Sequence, residues 1–226
     1  MSTEAVGSHF ENVAPDYDRW KEKAHHYYAA LKTCLAEVVP PGSRVLEVGC
    51  ATGDVLAALR PSQGVGLDIS ASMIERARTK HPDLRFAVHD IMRGPLEERF
   101  DYVVAADVAE HVPDLGVFMT AMAAMLTPSG GLIVVTANPA WSPILHAAER
   151  LKLKMPEGDH QWRSRADLAR AAAGAGLRER SFTRSLLVPK RVPGFGWLDS
   201  ARWTARLRQR FGVIQRAVFE AASRSG

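Results

Sequence analysis

The chain has 226 residues, of which 46% are hydrophobic and 24% charged, with a formal net charge of +4. Those proportions fit one generous globular domain with a real core, and they exclude general disorder, the first few residues and the final Ser-Arg-Ser-Gly apart. Two cysteines, Cys34 and Cys50, make no disulfide framework, no apolar run approaches the roughly 18 residues of a membrane span, and the polar start MSTEAVGSHFENVAPDYDRW has no signal pattern, so a cytoplasmic location is expected.

In chain order, the helical spacing of Tyr17, Trp20, Tyr27, Tyr28, Leu31, Leu35 and Val38 predicts a helical segment from about Asp16 to Val39, ended by Pro40-Pro41-Gly42. RVLEV is the first strand, and a helix follows from about Gly53 to Leu59 and breaks at Pro61. GVGLDI is the second strand. SASMIERARTKH reads as a helix with Ser70 or Ser72 near its N-cap and Pro82 after its end. LRFAVHD and FDYVVAAD are the third and fourth strands, the latter apolar enough to be buried on both faces. A helix from about Leu115 to Leu126 stops at Thr127-Pro128-Ser129-Gly130-Gly131, and GLIVVTAN is the fifth strand. SRADLARAAAGAG is a helix capped by Ser164. LRERSF and SLLVPK supply the last two strands, antiparallel at the sheet edge.

The tail from Trp197 to about Ala222 reads as one amphipathic helix with Trp197, Leu198, Trp203, Leu207, Phe211, Ile214 and Val218 on its apolar side. Its polar face is largely arginine. The favoured reading is a helix packed on its own domain, and the other is peripheral contact with a membrane surface or an anionic partner. Alternating strands and helices without a repeat predict an α/β domain with a mostly parallel sheet.

The loop EVGCATG places Gly49 and Gly53 around Cys50, Ala51 and Thr52, so backbone N–H groups can approach a ligand where the sheet opens. It lacks both the G-x-G-x-x-G of a dinucleotide loop and the G-K-[ST] of a P-loop, which disfavours a phosphate ligand. Glu47 precedes the loop. Asp68 follows about 20 residues on, where a carboxylate can accept both hydroxyls of a ribose. Asp90 ends FAVHD, where it can meet an adenine amino group between Ile69 and Ile91. Three carboxylates at three successive strand ends suit a nucleoside that carries a cation, and S-adenosylmethionine is such a molecule.

From about Val45 to Asn138 the ordered set VLEVGCATG, GLDIS, VHDI, FDYVVAADVAEHV and LTPSGGLIVVT resembles the class I S-adenosylmethionine-dependent methyltransferases. The resemblance implies a Rossmann-like sheet of seven strands, mostly parallel and flanked by helices, in a single domain over 1–226. Residues 1–43 would be an N-terminal helical cap, 44–138 the cofactor-binding core, 139–190 an acceptor-side insert with the last strands, and 191–226 the basic tail. It also implies that Glu47, Gly49, Ala51 and Gly53 line the methionine part and that Asp68 holds the ribose. Ile69, Asp90 and Ile91 would hold the adenine, Met73 would also bind the cofactor, Ala106 would close over it, and Tyr17 and Trp20 would cover the site.

A hydroxyl acceptor needs a base or a metal to lose its proton. In DVAEHVPD, Asp107, Glu110 and His111 stand at i, i+3 and i+4, so one helical turn after strand four would set them on one side. One reading makes His111 a general base oriented by a neighbouring carboxylate. Another makes Asp107, Glu110 and His111 ligands of Mg²⁺ or Mn²⁺, with His160 as a further ligand. The second draws on a resemblance of DVAEH to the E-x-x-E-H motif of small-RNA 2′-O-methyltransferases and some quinone-pathway O-methyltransferases, with a shorter Asp in place of the first Glu. The plain reading is that these residues hydrogen-bond around the turn.

Tyr27, Tyr28, His25, Trp141, His146, Trp162 and several lysines are candidates for the acceptor pocket and suggest a flat, polar or anionic acceptor. The leading expectation is transfer to an oxygen or nitrogen of a small molecule. The tail loosely resembles bacterial methyltransferases of surface-glycan assembly, which implies a lipid-linked acceptor. An RNA 2′-O-methyltransferase is disfavoured because no RNA-binding module is visible, so a nucleic-acid partner is not expected. A non-catalytic cofactor-binding protein is the reading from another class, and a dehydrogenase is disfavoured by the missing second glycine.

Overall fold

Strands buried on both faces read as continuous apolar runs, and β1 (Arg44–Val48), β4 (Phe100–Ala106) and the second half of β5 (Leu126–Ala137) do so. The structure, a computed structural model, describes residues 3–156, 158, 160–189 and 204–222. With β2 (Gln63–Asp68), β3 (Arg85–Val88), β6 (Leu177–Ser185) and β7 (Ile214–Ala221) these strands form a seven-stranded sheet of order β3-β2-β1-β4-β5-β7-β6. The pairs from β3 to β5 are parallel, and β7 runs antiparallel to both β5 and β6. The chain order reverses between β1 and β4, so the carboxyl ends of these strands open a crevice.

Helices α1 (Thr3–Val13), α2 (Tyr17–Lys23), α3 (His25–Ala36), α4 (Asp54–Ala58) and α5 (Ala71–Lys80) come first. Then come α6 (Leu115–Ala124), α7 (Ser142–Arg150), α8 (Arg165–Gly174) and α9 (Ala205–Phe211). Their starts are chemically explicit. The Ser70 hydroxyl accepts from Met73 N at 3.1 Å, Asp114 accepts from Gly116 N and Val117 N, and Ser164 with Asp167 forms a capping box at α8.

The sheet separates two apolar layers by the strand period of two. Leu46, Val103, Leu132 and Phe219 face one side with Phe118 and Met122 of α6; Val45, Val104, Ile133 and Val218 face the other with Leu31 and Leu35 of α3. Phe100, Phe118 and Phe219 are fully buried, each a contribution of about 2–3 kcal/mol from apolar burial.

The N-terminal expectation changes in two ways. The segment expected from Asp16 is broken at Ala24 into α2 and α3, and the polar residues before it form α1, joined to α2 by a 3-10 turn over Ala14–Asp16. Val6 of α1 is buried, so a single apolar contact face suffices to dock an otherwise polar helix.

The C-terminal expectation also changes. Of the tail, Ala205–Phe211 is helical, while Ile214–Ala221 is an internal strand with Ile214 to Phe219 all buried. The i, i+4 spacing of Ile214 and Val218 satisfies a helix face and a strand face alike, and burial on both sides decides for the strand. Trp197, Leu198 and Trp203 lie outside the described residues. SLLVPK is not the seventh strand: Leu186 adopts φ +62°, which ends the extended backbone of β6, and its carbonyl accepts from Val213 N at 2.9 Å. Among the described residues no helix is long and apolar enough to cross a membrane.

Candidate active site

The loop after β1 turns because three of its residues leave the right-handed region: Gly49 (φ +70°), Ala51 (φ +46°) and Gly53 (φ +79°). At Gly49 a Cβ would lie 2.2 Å from Val108 Cγ2, so this loop passes against the segment after β4 with room for hydrogen alone. Gly49 N and Cys50 N donate to Leu67 O at 2.7 and 2.9 Å. Asp68 joins the two loops: one carboxylate oxygen accepts from Ala51 N at 2.8 Å and the other from Ser70 N at 2.9 Å. Burial pushes its carboxyl up, and these N–H groups oppose the shift.

Glu47 is 2% exposed and accepts from Leu56 N at 2.9 Å. Burial pushes its carboxyl up to about 8, against the charge of Lys21 and the Leu56 N–H. Asp90 accepts from Met92 N at 2.9 Å and so caps the turn over Ile91–Arg93.

These groups meet in one cavity of about 480 Å³. Tyr17, Glu47, Gly49, Ala51, Asp68, Ile69, Met73, Asp90, Ile91 and Ala106 all line it, as do Asp107, Glu110, His111 and His160. Gly53 lies outside this lining. It turns the chain into α4, and a Cβ there would meet the Phe86 ring at 2.7 Å.

The N-terminal helices cover the cavity with Val6 and Phe10 of α1, Trp20 and Lys21 of α2, and Tyr27 and Tyr28 of α3. The polar composition of α1 hid the first two; helical spacing within residues 3–13 was the available signal. An ion network fastens the cover. Lys21 and Lys80 each reach Asp54 at 2.8 Å, His81 reaches it at 2.9 Å, and Lys80 also reaches Asp18 at 2.9 Å. Burial would raise the Asp54 carboxyl, but these partners hold it well below the usual carboxylate range. Of the aromatic acceptor-pocket candidates, Tyr27 and Tyr28 line the cavity, whereas His25, Trp141, His146 and Trp162 do not.

The turn after β4 departs from the expected helical arrangement. Asp107 takes φ +56°, a left-handed residue before the turn, so Asp107, Glu110 and His111 do not share a helix face. The Tyr27 hydroxyl donates to both Asp107 carboxylate oxygens, at 2.9 and 3.0 Å. Burial, then the Asp107 charge, raises the Tyr27 phenol well above its ordinary range. Glu110 turns inward and accepts from Ala137 N at 2.9 Å.

The His111 ring stands edge-on to Phe10 at 5.3 Å and to His160 at 5.7 Å between centroids. The expected ligand set for Mg²⁺ or Mn²⁺ from Asp107, Glu110, His111 and His160 is not formed. Among the described residues no three histidine, cysteine or carboxylate side chains are grouped to hold a metal ion. The cause is local: Asp107 is drawn to Tyr27, and Glu110 to the end of β5.

Residues 20–181 match the family model of the methyltransferase domain. The chain belongs to that family. A ubiquinone biosynthesis O-methyltransferase of Bradyrhizobium diazoefficiens is 38% identical over 131 residues, covering 54% of this chain and 51% of the relative. One of the same description from Nitrobacter winogradskyi is 34% identical over 138 residues, 57% of this chain and 51% of the relative. The chain thus spans about half the length of the curated relatives it matches. The fold recurs in the magnesium protoporphyrin IX methyltransferase of Synechocystis PCC 6803, solved with bound SAH. There the TM-score is 0.66 at 17% identity, over 98% of this chain and 100% of the other.

The lining of this member of the methyltransferase domain family fits S-adenosylmethionine chemically. The buried Glu47 carboxyl holds its proton to about pH 8, which is the state a neighbouring cation would reverse. Asp68 ends β2 and Asp90 follows β3, so both carboxylates stand at the open end of the sheet beside the cavity.

Proposed function

We propose that this methyltransferase domain methylates a hydroxyl oxygen of a small organic acceptor, with His111 as the general base. The observation that carries the reading is the placement of the His111 ring. It lines the same cavity as Glu47 and Asp68, yet it is 8% exposed and held edge-on by Phe10.

Bound S-adenosylmethionine supplies a methyl group on a sulfonium, already activated for in-line displacement. Glu47, Gly49 and Ala51 would hold its methionine part, Asp68 its ribose, and Asp90 with Ile69, Met73 and Ile91 its adenine. What remains for the protein is to align the acceptor and remove its proton. Phe10, Tyr27 and Tyr28 give the acceptor flat apolar walls, α1 and α2 exclude water, and the His111 imidazole takes the hydroxyl proton. The O-methyltransferase description of the relatives supports the choice of oxygen.

The test is methyl transfer from labelled S-adenosylmethionine to a panel of hydroxylated benzoates and to amines of matched shape. Label on the hydroxylated acceptors, lowered about 100-fold or more in His111→Ala, is the expected result. Transfer to amines alone, or full turnover in His111→Ala, would overturn the reading. Uptake of the cofactor without transfer to any acceptor would favour a binding protein instead.

A further inference from the structure

The turn that carries His111 is held from outside. Gln161 N donates to Glu110 O at 2.8 Å, Arg163 Nε to Ala109 O at 2.9 Å, and Arg163 Nη2 to Val112 O at 2.7 Å. Arg163 O in turn accepts from Gln215 Nε2 at 3.0 Å, which roots the clamp in β7. The segment between α7 and α8 is therefore tied down on both sides of His111.

His160, at the head of that segment, stands perpendicular to His111, at an interplanar angle of 88°. Trp162 packs on His160 at 4.3 Å and on His146 at 5.7 Å, and His146 lies 6.4 Å from His160. His146 is exposed on α7, and its Nδ1 lies 2.9 Å from Ser142 O. A proton on that nitrogen leaves Nε2 as the accepting one. Three imidazoles from three separate segments thus run from the buried cavity to solvent.

A base at the His111 position needs such an exit. A proton gained at each turnover charges a ring that Phe10 covers on one side, and burial penalises the charged form. We propose that His160 is a positioning and proton-transfer residue, the middle of a path from His111 to His146. This rests on His111 being the base. The O–H bond of the acceptor breaks and its proton goes to His111, while the new O–CH₃ bond forms as the carbon–sulfur bond breaks. The proton then passes to His160 and, through a bridging water across the 6.4 Å between ring centroids, to His146 and bulk water, one per turnover, with no change of oxidation state. Among the described residues the titratable and charged groups around the path include Glu110 on the same turn, Arg163 clamped to that turn, Asp107 and Tyr27 across the cavity, Lys154 on its rim, and His9 beyond Phe10.

The deciding measurement is a pH titration of the histidine ring nitrogens by ¹⁵N NMR, on whole protein saturated with S-adenosylhomocysteine. Proton-sharing rings titrate as a coupled set. His160→Gln is expected to move the His111 midpoint by about half a pH unit or more. His146→Gln, an exposed change that spares the fold, is expected to move the His160 midpoint likewise. Unmoved midpoints in both variants would overturn the path. With 3,4-dihydroxybenzoate as methyl acceptor, His160→Gln is expected to lower kcat and not KM, and imidazole in the buffer to restore it. Loss in His111→Gln with full turnover and unmoved midpoints in His160→Gln would remove the path and leave the base. Full turnover in His111→Gln would remove the base itself.

Discussion

Glu47→Gln isolates the electrostatic character of the proposed cofactor site, because the amide keeps the shape and can still accept from Leu56 N. Burial raises the carboxyl from its ordinary 4.5 to about 8. The folded state therefore holds a proton that the unfolded chain releases, and wild-type stability falls as the pH rises from 4.5 to about 8. At about 1.4 kcal/mol per tenfold change in proton affinity, the loss is ~3 kcal/mol by pH 7 and ~5 kcal/mol above pH 8. The glutamine does not titrate. Urea unfolding without cofactor should find the two proteins equal near pH 4.5, with the variant ahead by those amounts at pH ~7 and ~9. A stability difference that stays constant over that range would refute the argument. Titration of S-adenosylhomocysteine at pH ~7 in buffers of different ionisation heat should also show proton release by the wild type and none by the variant.

Gly49→Ala should abolish or cripple cofactor binding, because its Cβ would lie 2.2 Å from Val108 Cγ2; Gly49→Ala with Val108→Ala should recover part of it in a calorimetric titration, and no recovery would point to φ +70° as the whole obstacle. Asp68→Ala should weaken S-adenosylhomocysteine binding by about 1–3 kcal/mol, since ligand hydroxyls and the N–H groups of Ala51 and Ser70 lose their acceptor; an unchanged affinity would sink the ribose assignment. Asp54→Asn should cost about 1–3 kcal/mol at neutral pH and open α2 to limited proteolysis. Because the folded-state carboxyl lies below its ordinary 3.8, its contribution is present above that value and fades as pH falls through the folded-state one. The gap to wild type should therefore close in acid.

The strand ends that line the proposed cofactor side of the cavity were legible because their signals are local. A strand buried on both faces announces itself as VVAA or LIVV, and Glu47, Asp68 and Asp90 end such strands in order. The acceptor half was not, because it depends on single dihedrals and on segments far apart in the chain. Nothing in DVAEH distinguishes a helical Asp107 from one at φ +56° that turns to Tyr27. His111, His146 and His160 are separated by up to 49 positions in the sequence, and it takes the clamp through Gln161 and Arg163 and the packing of Trp162 to bring them together. The last strand escaped for a different reason: four is a multiple of the strand period and close to the helix period, so Ile214 and Val218 fit both.

The place of β7 has a consequence for how the protein comes into being. β6 pairs with β7, not with β5, so at the moment β6 leaves the ribosome it has no hydrogen-bonded seat. It must wait for 29 further residues, from Leu186 to Ile214, before its partner begins to emerge. Until then the β5 edge, with Leu132 to Val135 in its middle, stays open as a template for other strands. Closure of the sheet is thus a late, long-range step, and such steps are slow and exposed to aggregation. A chain cut before Ile214 would lose more than a tail: β6 would be stranded, Arg163 would lose its tie to Gln215, and the turn that carries His111 would come loose with it.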